Sequence, residues 1–251
     1  MQLTYTFKDL NKPVILMLHG FLGSAAQWSG MVGGLGNDFS QLLVELPGHG
    51  LSPESKTAFS IDDIAHAINK ILEQEAIEKV HVLGHSMGGY VGSAFAKAYT
   101  SKVLSLTLIN SITGPDAKER KLLRDRAITL IEKYQEAYVS MAINNLFTED
   151  ERKNHKKEIK EMKIAAGQIS IESIIKSLKA MRDRSGVTDF LKEVAFPVHL
   201  ISGSNDAVIS QGLIIEEVRL LNAMHTSLEG GHMLLLTHVN ELSQNMHFIE
   251  N

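Results

Sequence analysis

The sequence predicts an α/β protein on a doubly wound, mostly parallel sheet, with one all-helical stretch inserted into it. Three observations predict this. Short, continuous apolar runs recur at residues 14–18, 42–44, 80–83, 104–109 and 198–201. Most carry β-branched residues, and runs of this length suit strands covered on both faces. Helical periodicity lies between several of them, so strand and helix alternate as parallel pairing requires. From about residue 116 to about residue 184 the alternation stops, and helix follows helix with no convincing strand.

Taken in order, the first seven residues alternate like a short edge strand and lack the apolar core of a secretion signal. Residues 14–18 read as the first central strand and lead into the loop His19-Gly20-Phe21-Leu22-Gly23. Residues 42–44 form the next, before Leu46-Pro47-Gly48-His49-Gly50. Ile61, Ile64, Ala65, Ile68, Ile71 and Leu72 make one apolar helical stripe, with Ser60 and Asp63 as a capping box at its start. Residues 80–83 run into Gly84-His85-Ser86-Met87-Gly88 and a helix of small residues.

Gly114-Pro115 and Ser185-Gly186 are natural boundaries for the insertion. They divide the chain into a core of residues 1–113 and 187–251 and a helical unit of residues 114–186. Leu123, Ala127, Leu130, Ile131 and Tyr134 form one stripe within it, and Ile171, Ile174, Ile175 and Leu178 another. Residues 153–163, rich in lysine and glutamate, read as a solvated helix face. Strands at 198–201 and 225–228 complete the pattern, and the insertion is expected over the sheet's carboxyl edge, where open α/β folds bind ligands.

Composition narrows the function. The 251 residues, 44% of them hydrophobic, suffice for one large domain, with or without an inserted subdomain. A net charge of −4 offers no basic face for nucleic acid. The absence of cysteine excludes disulfide frameworks, thiolate metal sites and cysteine nucleophiles, and suits a reducing, cytoplasmic location. No apolar stretch approaches membrane-spanning length. No metal or other cofactor is expected, and the expected partner is a small molecule.

The chemistry centres on Ser86. A strand that turns sharply into a helix presents a serine hydroxyl to a cavity, and the turn is tight enough to demand small neighbours. Such a hydroxyl is a weak nucleophile until a base takes its proton, and the base needs a third group to orient it. Asp206 follows the run at 198–201, in Gly203-Ser204-Asn205-Asp206, and His232 follows the run at 225–228, in Glu229-Gly230-Gly231-His232. All three then sit at carboxyl ends of strands in one sheet. The N–H groups of Met87, at a helix start, and Phe21, in the loop after the first central strand, are candidate donors to an oxyanion. Asp116 is the alternative acid. His85 adjoins Ser86, but the turn is expected to point it elsewhere. His19 and His49 suit loop buttresses.

His19-Gly20-Phe21, Leu46-Pro47-Gly48-His49-Gly50-Leu51-Ser52, Gly84-His85-Ser86-Met87-Gly88-Gly89, Gly203-Ser204-Asn205-Asp206 and Gly231-His232 resemble, in order and across nearly the whole chain, the α/β-hydrolase superfamily. Within it the chain is most similar to small bacterial carboxylesterases and their relatives, which include lyases of menaquinone synthesis. The resemblance implies Ser86 as nucleophile, His232 as general base, Asp206 as its orienter, and Phe21 and Met87 as oxyanion donors, with the insertion as a cap. It implies hydrolysis of carboxylic esters of small or medium acyl groups. Elimination of pyruvate from an anionic substrate, or carbon–carbon bond hydrolysis, is the alternative on the same three residues, and a non-catalytic receptor a third reading. An anionic substrate requires arginines facing Ser86, and Arg120, Arg124 and Arg126 lie in the right region. Glu45 stands where many relatives carry aspartate, a position expected to be structural.

Overall fold

The protein is described by a computed structural model, over residues 1–35 and 38–246. Seven strands, β1 (Tyr5–Lys8), β2 (Val14–Leu18), β3 (Ser40–Val44), β4 (Val80–His85), β5 (Val103–Ile109), β6 (Val198–Gly203) and β7 (Met224–Leu228), form one sheet ordered β1-β3-β2-β4-β5-β6-β7. Only β1 pairs antiparallel. The strands β2, β4 and β6 are buried along their whole length, His81, His85, His199 and Ser202 included, while the edge strands β1 and β7 are not. The first strand begins at Tyr5 rather than Met1, where pairing with Val44 starts.

The chain leaves β2 for β3 on one side and returns to β4 on the other, so the winding direction reverses between β2 and β4. The loops after these two strands meet there, at the place where open α/β sheets form their crevice. A Cβ on Gly20, in the first loop, would lie 3.3 Å from the Cβ of Ser86 in the second.

Helices α1 (Ser29–Gly34), α2 (Ile61–Gln74) and α3 (Met87–Ala98) flank the sheet. The whole expected stripe of α2 is buried, and the capping box at Ser60 and Asp63 is present. The α3 helix follows β4 directly and is buried from Met87 to Ala96, so its small residues allow close contact with the strands.

Between β5 and β6 run α4 (Lys118–Asn144), α5 (Glu149–Asn154), α6 (Lys156–Gly167), α7 (Ile171–Asp183) and α8 (Thr188–Leu191). The stripe expected on α4 is corrected here. Ile131 is buried and Ala127 half-buried, but Leu123, Leu130 and Tyr134 are exposed. Two causes act. The helical path breaks at Tyr134 (φ −144°, ψ 52°), which turns the inward face to Tyr138, Val139 and Ile143. Before the break the inward positions are Arg120 and Arg124, made tolerable by a buried carboxylate, Asp116. On α7, Ile174 and Leu178 are buried as expected and Ile175 is half-buried, but Ile171, at the helix start, is exposed. Lys153, Lys156, Lys157 and Lys160 face solvent. After β6 come α9 (Gln211–Leu221), and after β7 α10 (Leu234–Thr237) and α11 (Val239–Gln244). Among the described residues, no helix is long and apolar enough to cross a membrane.

Candidate active site

Ser86 sits between β4 and α3 with φ 51° and ψ −116°, a strained backbone for a residue with a side chain. Hydrogen bonds at its own main-chain groups hold the strain. The Ser86 N–H donates to the Ile109 carbonyl at 3.0 Å, and the Ser86 carbonyl accepts from the Gly89 N–H at 2.9 Å and the Ser111 hydroxyl at 2.8 Å. A Cβ at Gly84 would lie 2.6 Å from the Gly88 carbonyl oxygen, and one at Gly88 only 2.1 Å from that of Leu18. The turn is therefore closed to larger residues.

The structure brings Ser86, His232 and Asp206 together. His232 Nε2 lies 2.8 Å from Ser86 Oγ, and His232 Nδ1 2.7 Å from Asp206 Oδ2. An ionised carboxylate only accepts, so Nδ1 carries the ring proton and Nε2 is left to accept from the serine hydroxyl. Asp206 is held on every side. Its Oδ1 accepts from the N–H groups of Val208 (2.7 Å) and Ile209 (3.0 Å), and its Oδ2 also from Asn110 Nδ2 at 2.8 Å. Burial pushes this carboxyl up, but the His232 imidazole, the Asn110 amide and the Ile209 N–H outweigh it and hold it below the ordinary aspartate value.

Asp116, the alternative acid, is elsewhere. It is buried against Arg124 and Arg184, with Arg120 Nε 3.4 Å away. Burial again pushes the carboxyl up, and Arg124 and Arg184 more than reverse that. The Arg184 guanidinium also stacks on the Tyr90 ring at 3.7 Å.

His85 requires a correction. The turn does not send it away: its ring lies 5.2 Å from that of His232, lines the same cavity, and donates from Nε2 to the His232 carbonyl at 2.9 Å. Burial, with the neighbouring His232, pushes its pKa down to about 3, so the ring is neutral at physiological pH. His19 and His49 tie loops as expected. The Leu46 N–H donates to His19 Nε2 at 2.9 Å, and His19 Nδ1 donates to the Gly20 carbonyl at 2.8 Å. His49 Nδ1 donates to the Pro47 carbonyl at 2.9 Å, and burial pushes its pKa down to about 4. Glu45 accepts from the Ala25 N–H at 2.9 Å and pins the loop after β2.

Phe21 and Ser86 line one cavity of about 220 Å³, and Met87 opens α3 beside it. The facing wall comes from α4 and α7: Tyr138, Met141, Leu178 and Met181, with Arg120 and Arg124. Arg126 is exposed. Sequence reasoning missed Asn110. Its signal is a polar residue directly after β5, the strand between those that carry Ser86 and Asp206.

Among the described residues, no cluster of three His, Asp or Glu side chains is arranged to hold a metal ion. His81 and His85 are four apart, the spacing of a helical ligand pair, but in β4 it separates them by about 13 Å.

Similar proteins bear on this geometry. Monoacylglycerol lipase ABHD6 of Bos taurus is 37% identical over 113 residues, which cover 43% of this chain and 34% of that protein. The chain spans about a third or less of the length of the first curated relatives it matches. A putative carbamate hydrolase, RutD of Pantoea ananatis, is 26% identical over 236 residues, covering 92% of this chain and 85% of that one. A thermophilic esterase from Thermogutta terrifontis superposes with a TM-score of 0.90 at 22% identity, over 98% of this chain and 91% of the other, a likeness of fold. The alpha/beta hydrolase fold model matches residues 13–239, from the start of β2 through α10 to the first residue of α11, and the chain belongs to that family.

Proposed function

We propose that this protein is a serine hydrolase that cleaves carboxylic esters of small or medium acyl groups through an acyl-enzyme. The observation that supports it is the unbroken relay from Ser86 Oγ through His232 to Asp206, opening on a cavity. Ser86 Oγ attacks the acyl carbon while His232 Nε2 takes its proton. The N–H groups of Phe21 and Met87 receive the negative oxygen. The intermediate collapses, His232 returns the proton to the leaving alkoxide, and the acyl group remains on Ser86. Water then attacks the acyl carbon, His232 takes its proton and returns it to Ser86 as the acid leaves. Asp206 keeps the ring in the required tautomer throughout. Residues 114–186 act as a cap over a core of residues 1–113 and 187–251. Gln27 borders both the cavity and an adjoining hollow of about 380 Å³ lined by Leu22, Met162, Leu235 and Leu236, room for a medium acyl chain.

The test is turnover of 4-nitrophenyl acetate, butyrate and octanoate. Ser86→Ala lowers kcat by about 10⁴-fold or more and abolishes labelling by a fluorophosphonate. Turnover equal to the unmodified protein overturns the reading.

Arg120 and Arg124 on the cavity wall favour a second reading, elimination of a carboxylate-bearing fragment from an anionic substrate, with Ser86 and His232 abstracting the proton. Arg120→Gln then raises KM for 4-nitrophenyl hemisuccinate about tenfold and leaves that for the neutral acetate unchanged. Equal effects on both esters remove this reading.

A further inference from the structure

We infer that Glu151 is a positioning residue for His232, so that the helical stretch helps to align the base; this rests on His232 being the general base. Glu151 stands at the start of α5, in a capping box with Thr148. Its N–H donates to the Thr148 hydroxyl at 3.2 Å, and the Thr148 N–H donates to its Oε2 at 2.7 Å. A capping box needs one carboxylate oxygen. The other, Oε1, accepts from the Gly231 N–H at 3.0 Å, across 80 residues of sequence. The next amide, that of His232 itself, donates to the Leu146 carbonyl at 2.8 Å.

The two residues at the base therefore have their main-chain groups divided. The Gly231 carbonyl accepts from Asn110 Nδ2 at 3.3 Å and the His232 carbonyl from His85 Nε2 at 2.9 Å, both from sheet strands or their ends. Both N–H groups go to residues 146–151. The bond from His232 to Asp206 sets the ring's rotation, but the main chain sets where the ring starts. Gly231 is built for this approach: a Cβ there would lie 2.7 Å from Glu151 Oε2 and 2.9 Å from the Leu146 carbonyl oxygen. Glu151 is buried, and a bare buried carboxylate is costly. Burial pushes its pKa up, yet the N–H donors of Gly231 and Thr148 hold it below the ordinary glutamate value. A carboxylate whose purpose is only to end a six-residue helix has no need of that second, distant donor.

The experiment measures kcat and KM for 4-nitrophenyl acetate in Glu151→Ala, Glu151→Gln and Thr148→Ala, together with the low-field proton resonance of the His232–Asp206 hydrogen bond. Glu151→Ala lowers kcat about 100-fold, the scale of a misplaced catalytic group, with KM unchanged and the resonance shifted or broadened. Glu151→Gln, with one acceptor oxygen for two N–H donors, falls between. Thr148→Ala, which loses the cap hydroxyl but keeps the Gly231 contact, retains kcat. A folded Glu151→Ala protein with unaltered kcat and resonance overturns the inference, as does an equal loss in Thr148→Ala. If Glu151→Ala does not fold, unaltered kcat and resonance in Glu151→Gln overturn it. If Ser86→Ala leaves ester turnover intact, the general-base reading fails by itself, and the resonance alone still decides whether Glu151 aligns His232.

Discussion

At the sheet edge, the groups that face the cavity are held by main chain together with the side chains of Ser111 and Asn110. Ser86 hangs on bonds from its own amide and carbonyl, and Asp206 accepts from two backbone N–H groups. Across the cavity, Arg120 and Arg124 of α4 converge, with Arg184 from the end of α7, on the single carboxylate of Asp116, and Arg120 and Arg184 donate besides to the carbonyls of Val208, Met181 and Gly114. Main-chain anchoring depends on local geometry that few sequences satisfy, since each turn excludes larger residues at set positions. Side-chain anchoring depends on a partner, and partners can be exchanged together. The two walls of one cavity therefore differ in what they allow to vary. On the proposed hydrolase reading, reaction chemistry belongs to the wall at the sheet edge and substrate choice to the helical one.

The contrast can be broken most sharply at Asp206. Asp206→Asn keeps the shape of the loop but removes the charge and offers a donor to His232 Nδ1, which forces the wrong tautomer. The expected loss in kcat is about 10⁴-fold, read by steady-state ester hydrolysis of a protein that melts normally. An intact kcat places the proton relay elsewhere.

Acid is the next test, because the strongly displaced histidines lie on the sheet-edge side. His85 and His49 titrate when folded at about 3 and about 4, against an ordinary value of 6.5. Below pH 6.5 the unfolded chain takes up protons that the folded chain refuses, so stability is complete above that pH and falls as pH drops toward 4. Each group contributes a slope of about 1.4 kcal/mol per pH unit in this window. Thermal melts from pH 7 to pH 4 show the fall, and His85→Gln makes it shallower. A melting curve flat over this range refutes the buried neutral state of both rings.

Two glycines measure the same difference in packing. At Gly88 an added methyl meets the Leu18 carbonyl, so Gly88→Ala costs about 1–3 kcal/mol or more in denaturant unfolding. At Gly167, which ends α6, no atom lies within 4 Å of a new Cβ. Gly167→Ala is neutral or stabilises by up to about 1 kcal/mol. Equal costs at the two sites would erase this difference in packing between the turn at Ser86 and the end of α6.

The sheet edge was legible because its information is local. Gly84, Ser86, Gly88, Asp206 and His232 each stand beside the strand or turn that positions them, and the α2 stripe packs on one continuous face. The α4 stripe was misread because periodicity assumes an unbroken helix and apolar burial. Tyr134 breaks the first assumption, and Arg120 with Arg124 breaks the second, since Asp116 supplies the compensation from outside the helix. Asn110 and Glu151 escaped for a related reason: each acts on a loop roughly 80 or more residues away, and nothing in its own neighbourhood marks it.

Sequence alone determined the strand order's class, the strand-to-helix turn at Ser86 and the order of serine, aspartate and histidine, because strands, turns and caps are specified by residues next to one another. Only the tertiary structure decided that His85 turns inward, that Asp116 gathers arginines instead of orienting His232, and that both amides of Gly231 and His232 reach residues 146–151. Those outcomes depend on which distant donor meets which acceptor once the chain is packed, and a linear pattern does not encode that meeting.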